Sequence, residues 1–179
     1  MTSTLKVQNI AHTGGTNALT VDTAGNVTFA KNNIKLTTPP FFVCDISANI
    51  TGYNSSTTDG SVYIQWNRED TNDGGHMHTS GSNIGKFIAP MAGIYFCDTC
   101  VYTSGSMSHH WLYINGTRLL RGDRSQLGQP STMMNGNWHV KLAANDEVTV
   151  HVYLSGATNN TINANGFHTW FRGGLLHAV

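Results

Sequence analysis

Nine histidines, three cysteines and ten acidic residues are the groups of this 179-residue chain that could do chemistry, and their spacing decides which chemistry. His76-x-His78 puts both rings on one side of an extended segment, a spacing that chelates zinc when a third ligand joins it. The pair follows the polar run Asp70-Thr-Asn72-Asp73-Gly-Gly, with no Glu or Cys beside it, and reads as part of a solvated loop. Asp70, Asn72 and Asp73 offer hard oxygen ligands suited to calcium, against the plainer reading of a solvated turn. His109 and His110 are adjacent, so a strand would point them to opposite faces, one of them available to meet its copies if the chain assembles about an axis; ordinary strand histidines are the simpler reading. Cys97-x-x-Cys100 lies in the strongest strand pattern, where positions three apart also face opposite sides, so core packing is expected rather than a redox dithiol or a zinc knuckle. Arg121-Gly122-Asp123 matches a tripeptide that integrins recognise, and reads as a coincidence in a Gly-rich chain. Catalysis lacks supply. Only Glu69, Glu147 and eight Asp are available, Asp146-Glu147 reads as the turn before a strand, and neither a Gly-x-Ser-x-Gly elbow nor a His-Glu-x-x-His helix is present. The expectation is a non-enzymatic protein without metal or cofactor.

The elements that must position these groups follow from composition. Charged residues make up 11% of the chain, against about 25% in typical globular proteins, and ten Lys+Arg balance ten Asp+Glu. Phosphate neutralisation needs clustered cations, so a nucleic-acid partner is excluded. Solubility has to come from neutral polar groups: 22 Thr, 18 Asn, 13 Ser and 19 Gly favour strands and turns and starve helices. No basic start followed by an apolar run, and no stretch of about 18 apolar residues, argues for secretion by a leader or for a membrane partner. Three cysteines, an odd number, point to a reducing site of synthesis. The sequons at Asn49, Asn54, Asn115 and Asn159 mean little in so Asn-rich a chain.

Residues 1–40 read as an arm. Leu5, Val7 and, after a slip, Ile10 suggest a short strand, and Ala18–Asp22 and Asn26–Ala30 flank a hairpin turn containing Gly25. Such a hairpin is marginal alone, so the arm packs on something else or stays disordered. Pro39-Pro40 ends it. Beyond it, the spacing predicts strands at 41–48, 61–67, 84–89, 93–103, 109–115, 118–121, 137–143, 147–155 and 167–177. Turns are expected at 67–75, Ser104–Ser106, Asn115-Gly116 and Asn135-Gly136-Asn137. Val148, Val150, Val152 and Leu154 alternate with Thr149, His151 and Tyr153, one face core and the other semi-polar.

Four pieces then fall in a familiar order. Phe87-x-x-Pro90-x-x-Gly93-Ile-Tyr95 resembles the central signature of the globular head of complement C1q, whose family shares its jelly roll with the tumour necrosis factors. Leu112-Tyr-Ile-Asn115-Gly116, Val140 to Val148 around Asp146, and Trp170-Phe171-x-Gly173-Gly-Leu175-Leu176 resemble that family's later strands. The chain departs from the pattern at Cys97, where an aromatic is usual, and at Asn145, where a Gly is usual. The resemblance implies an all-β, antiparallel, ten-stranded jelly-roll sandwich over 41–179 that assembles as a homotrimer, with an interface above about 2,000 Å². The arm resembles N-terminal segments of bacteriophage fibre and other virion structural proteins. The expected function is therefore a virion surface protein, either a capsid decoration or a receptor-binding head. Its partners would be itself, capsid or tail proteins bound through Leu5, Val7, Leu19, Val21, Val27 and Phe29 of the arm, and a host surface glycan or receptor. The distal loops are expected at about 53–60, 70–82 and 122–136, and Trp111 and Trp138 suit sugar binding. The alternative is a secreted, lectin-like head that binds a glycan or a protein receptor.

Overall fold

The computed structural model describes residues 9–11, 17–21, 27–29, 39–53, 63–104, 107–124, 131–154, 160–164 and 168–179. The chain divides into two compact units, Met1–Thr37 and Thr38–Val179. In the first, β1 (Asn9–Ala11), β2 (Asn17–Val21) and β3 (Val27–Phe29) form a small antiparallel sheet in that order. Leu19 pairs with Phe29 and Val21 with Val27, the hairpin register that the alternation predicts. Leu5 and Val7 lie outside the described residues.

The second unit is an antiparallel sandwich. Its larger sheet runs β5 (Ile50–Tyr53), β13 (Asn160–Ile162), β8 (Gly93–Ser104), β14 (Trp170–Ala178), β4 (Phe41–Asp45) and β6 (Arg68–Asn72), with β11 (Ser131–Leu142) on the other side of β8. The smaller sheet runs β10 (Thr117–Arg124), β9 (Met107–Ile114), β12 (Glu147–Leu154) and β7 (Phe87–Ile88). One core joins the sheets, in which Phe42, Tyr95, Cys97, Val101, Trp138 and Phe171 of the larger sheet meet Leu112, Val148, Val150 and Val152 of the smaller. The ring of Phe42 stacks on Phe87 and meets Phe171 edge-on, both at 4.8 Å. Asn115-Gly116 turns the β9–β10 hairpin with φ of 50° and 72°, the positive values a type I′ turn requires. Asn145, in the position where the resembled family has Gly, also holds a positive φ of 71°, which Asn tolerates better than other side chains.

Several expectations are corrected. Of the strand predicted at 61–67, the described residues 63–67 form no strand: Tyr63 makes a single bridge to His151, and the pairing falls on Arg68–Asn72, inside the expected turn. That segment has poor strand propensity but suits an exposed edge, since its charges discourage further pairing, and Arg68 is held by both carboxylate oxygens of Asp45. Asn135-Gly136-Asn137 is not a turn but the middle of β11, which pairs with β8 along twelve residues. Gly136 is needed there because a Cβ would lie 2.1 Å from the Trp138 ring and 2.6 Å from the His110 ring. The distal loop expected at 122–136 is partly strand, since β10 reaches Arg124 and β11 starts at Ser131. The short β5 and β13 were not anticipated. The face of β12 read as semi-polar is buried at Thr149 and His151.

His110 settles inside the sandwich, wholly buried. Its Nε2 shares a 2.9 Å hydrogen bond with Thr99 Oγ1, and its Nδ1 has no partner among the described residues. Burial, with His109 adding a smaller push, lowers its pKa to about 4. The unfolded chain therefore binds a proton below about pH 6.5 that the folded chain refuses, so stability falls with pH from there to about pH 4 and levels off below it. Urea unfolding across that window should show a loss of about 3 kcal/mol, and His110→Gln should flatten the dependence.

Candidate functional site

The strand β8 carries large apolar side chains on both faces, and the two faces do different things. Tyr95, Cys97, Thr99, Val101 and Thr103 point into the core and are fully buried. The intervening residues point outward, and antiparallel pairing continues each across β11, β14 and β4 as a row. Ile94 pairs with Lys141 and His177; Phe96 with His139 and Gly174, which in turn pairs with Phe41. Asp98 pairs with Asn137 and Arg172, and Arg172 with Val43. Cys100 pairs with Asn135 and Trp170, and Tyr102 with Met133. A depression of about 470 Å³ opens on this face, lined by Phe41, Val43, Phe96, Asp98, Trp170 and Arg172.

The site is an aromatic surface with a polar row across its middle. Phe41 and Phe96 lie 6.3 Å apart, and His168 rests on Tyr102 at 5.7 Å. The Arg172 guanidinium sits 4.8 Å over the Trp170 ring and donates from Nε to Asp98 Oδ2 at 3.2 Å. Asn137 Nδ2 donates to the other carboxylate oxygen at 2.5 Å. Both oxygens of Asp98, a residue only 8% exposed, are thereby satisfied. Ile94, Met133 and Leu176 remain exposed around this row at 38%, 47% and 55%. A large apolar face that a two-sheet sandwich does not itself cover is suited to a protein partner.

The residues singled out in the sequence lie elsewhere. Phe87, Tyr95, Phe171, Gly93 and Gly173 pack in or against the core, and Tyr95 donates its hydroxyl to the carbonyl of Met91 at 2.8 Å. Pro90 is exposed. Asn115 and Asp146 build the corner between the β9–β10 turn and the start of β12. Asn115 Nδ2 donates to Asp146 at 2.8 Å, Asn115 Oδ1 accepts from the Glu147 N–H, and Asp146 accepts from the Ala143 N–H. These positions hold the frame. Leu19, Val21, Val27 and Phe29 lie on β2 and β3 of the first unit. Asn72 uses its side chain to pin the loop, bonding Glu69 and both backbone groups of Met77.

Cys97 belongs to the core, where burial pushes its thiol up to about 12, with Asp98 adding to the shift. Cys100 is buried on the outward face, a correction to the expectation of core packing, and desolvation raises its pKa too. Cys44 donates its S–H to the carbonyl of Phe171, and burial raises it well above the ordinary value. All three thiols are therefore held in the protonated, unreactive form. Trp138 is a core residue against His110, and Trp111 is 5% exposed beneath Arg118, so neither offers the open ring face that sugar stacking needs. His109 points out and stacks on Tyr153 at 5.1 Å. Gly122 of the Arg-Gly-Asp tripeptide lies on strand β10 against the His110 ring. Sequence reasoning named Trp170 within a family motif and Asn137 within an expected turn, and assigned none of Phe41, Phe96, Asp98, Asn137, Trp170 and Arg172 to a site. The available signal was the pair of apolar runs Ile94–Cys97 and Cys100–Tyr102 on either side of Asp98-Thr99 in β8, which alternation on one face cannot explain.

Comparison with known proteins agrees with this architecture. The family described as the C1q domain matches residues 46–176. Among solved structures, the globular domain of zebrafish complement 1qA protein superposes with a TM-score of 0.54 at 13% identity, over 79% of this chain and 99% of that one. Murine APRIL gives 0.56 at 14% identity, over 77% and 99%, and Eiger TNF from S. frugiperda 0.53 at 11%, over 79% and 93%. At such identities the likeness is one of fold. No curated protein matches the chain. If the polar row holds the outward face in register, Asp98→Ala should cost about 1–2 kcal/mol in chemical denaturation by stranding Asn137 and Arg172, and Arg172→Ala, whose side chain is half exposed, should cost less.

Proposed function

The chain belongs to the C1q domain family, and from that premise we propose that it is a non-catalytic binding module that works as a homotrimer held together by the outward face of β8, β11, β14 and β4. The observation that carries this reading is the aromatic face itself. Phe41, Phe96, Tyr102 and Trp170 are displayed on the outside of a sandwich whose chain is only 11% charged. A second observation supports it. The twelve-residue β11 pairs, among the described residues, with β8 alone, which leaves a long edge, and the neighbouring β10 exposes Leu119 and Leu120 at 50% and 39%. A threefold arrangement that sets the β10–β11 edge of one copy against the aromatic face of the next hides both, and closes after three copies without running on into a filament. Bringing three heads together then multiplies any weak contact made by their loops.

Two settings suit such a module. The resemblance of residues 1–40 to virion structural segments favours a head carried on a bacteriophage surface, as decoration or as receptor-binding tip, with Leu19, Val21, Val27 and Phe29 on the attachment strands. Membership of the C1q domain family favours equally a secreted head that binds a glycan or a protein receptor. Locating the protein separates them: regular copies on purified particles support the first, and its absence from any particle supports the second.

Light scattering at micromolar concentration should give three times the 19.4 kDa chain mass. Phe96→Glu, or Ile94→Glu at the more exposed position, should give a folded monomer, whereas a wild-type monomer would contradict the assembly.

A further inference from the structure

Three of the chain's nine histidines, His139 on β11, His177 on β14 and His168 just before β14, share the outward face that the proposed assembly buries. Resting on that assembly, we propose that this face is an acid-sensitive lock: protonation of His139, His168 and His177 drives the trimer apart while each sandwich stays folded.

The argument is one of charge and linkage. His139 is opposite Phe96, and His177 is opposite Ile94 in the row that also holds Lys141, so each imidazole sits beside an apolar side chain that a second copy would cover. His168 lies against Tyr102, with its Nδ1 buried and unpartnered among the described residues, so a proton added there creates a buried donor with nothing to accept it. Among the described residues, the acidic groups of β8 and β4 on this face are already engaged, and the other acids of the sheet, Glu69 and Asp70, lie on its edge strand β6, beyond β4 from β14. Asp98 is already taken by Asn137 and Arg172, and Asp45, at the end of β4, is taken by Arg68. The other charged neighbours are cations: Lys141 shares the row of Ile94 and His177. Of the other outward side chains of β8, Cys100 is held protonated by burial and Tyr102 is the ring on which His168 rests. A face on which Arg172 and Arg68 are each matched by an aspartate and Lys141 already adds a cation would thus gain up to three more positive charges per chain, and association would press these against their copies. Histidine ordinarily changes charge between about pH 5 and 8, and burial against another copy disfavours its charged form. The separated chain therefore binds more protons than the assembly, and lowering the pH favours separation. A difference in proton binding between two states worth about 1.4 kcal/mol changes their equilibrium about tenfold.

The test follows mass and fold together on the full chain. At about pH 7.5 the wild type should be trimeric; at about pH 5.5 its apparent dissociation constant should rise at least about tenfold, with the far-ultraviolet circular dichroism unchanged. The triple variant His139→Gln, His168→Gln, His177→Gln should stay assembled at the lower pH. The variant keeps His110, so acid weakening of the core is common to both proteins and cancels in the comparison. A trimer equally tight at both values, a variant that dissociates like the wild type, or dissociation only together with loss of strand signal would each overturn the lock. A wild type monomeric at about pH 7.5 would instead overturn the assembly on which it rests.

Discussion

The structure depends on one strand whose two faces are both apolar. β8 pairs with β11 along its whole length and with β14 along most of it, so its backbone is satisfied on both sides and its side chains are committed in two directions. Inward, Tyr95, Cys97 and Val101 organise the core against the smaller sheet. Outward, Ile94, Phe96 and Tyr102 belong to a second apolar layer that a sandwich of two sheets leaves open, with Cys100 buried beneath it. Because successive residues of a strand must alternate, one face cannot be made hydrophilic without giving up the pattern on that face alone, and this sequence keeps both. A partner for the outward face is thus a consequence of the strand, and the homotrimer is the proposal that supplies it.

The scarcity of charge gives the remaining ions clear positions. Asp45 and Asp98 lie on the larger sheet, each met by an arginine from a neighbouring strand, and Asp98 by Asn137 as well. Lys86 and Glu147 pair at 2.8 Å beside β7 and β12. A row of fully satisfied polar groups across an apolar face adds little net stability, but it penalises any packing that leaves Asp98 without its donors. The same economy makes the histidines matter, since few other groups on the outward face change charge near neutrality.

Much of this was legible in the residues. The β9–β10 hairpin could be read from Asn115-Gly116, since few dipeptides accept two positive φ values. The inward face of β12 could be read from Val148, Val150 and Val152. Where reading failed, a neighbour had overridden local chemistry. Asn135-Gly136-Asn137 has turn composition, yet β8 captures its backbone and the rings of His110 and Trp138 need the missing Cβ. Arg68–Asn72 looks like loop, yet Asp45 and the free edge of β4 hold it extended. The outward face was harder still, because its members are scattered across β4, β8, β11 and β14 and become one surface only when the register is fixed.

The most direct test of the account is an experimental structure of the assembled protein at neutral pH. The account predicts a threefold axis with Phe41, Phe96, Asp98, Trp170 and Arg172 buried between copies, and the β10–β11 edge of one chain seated on the face of the next. An assembly joined through the smaller sheet, or a particle in which that aromatic face stays in solvent, would contradict it.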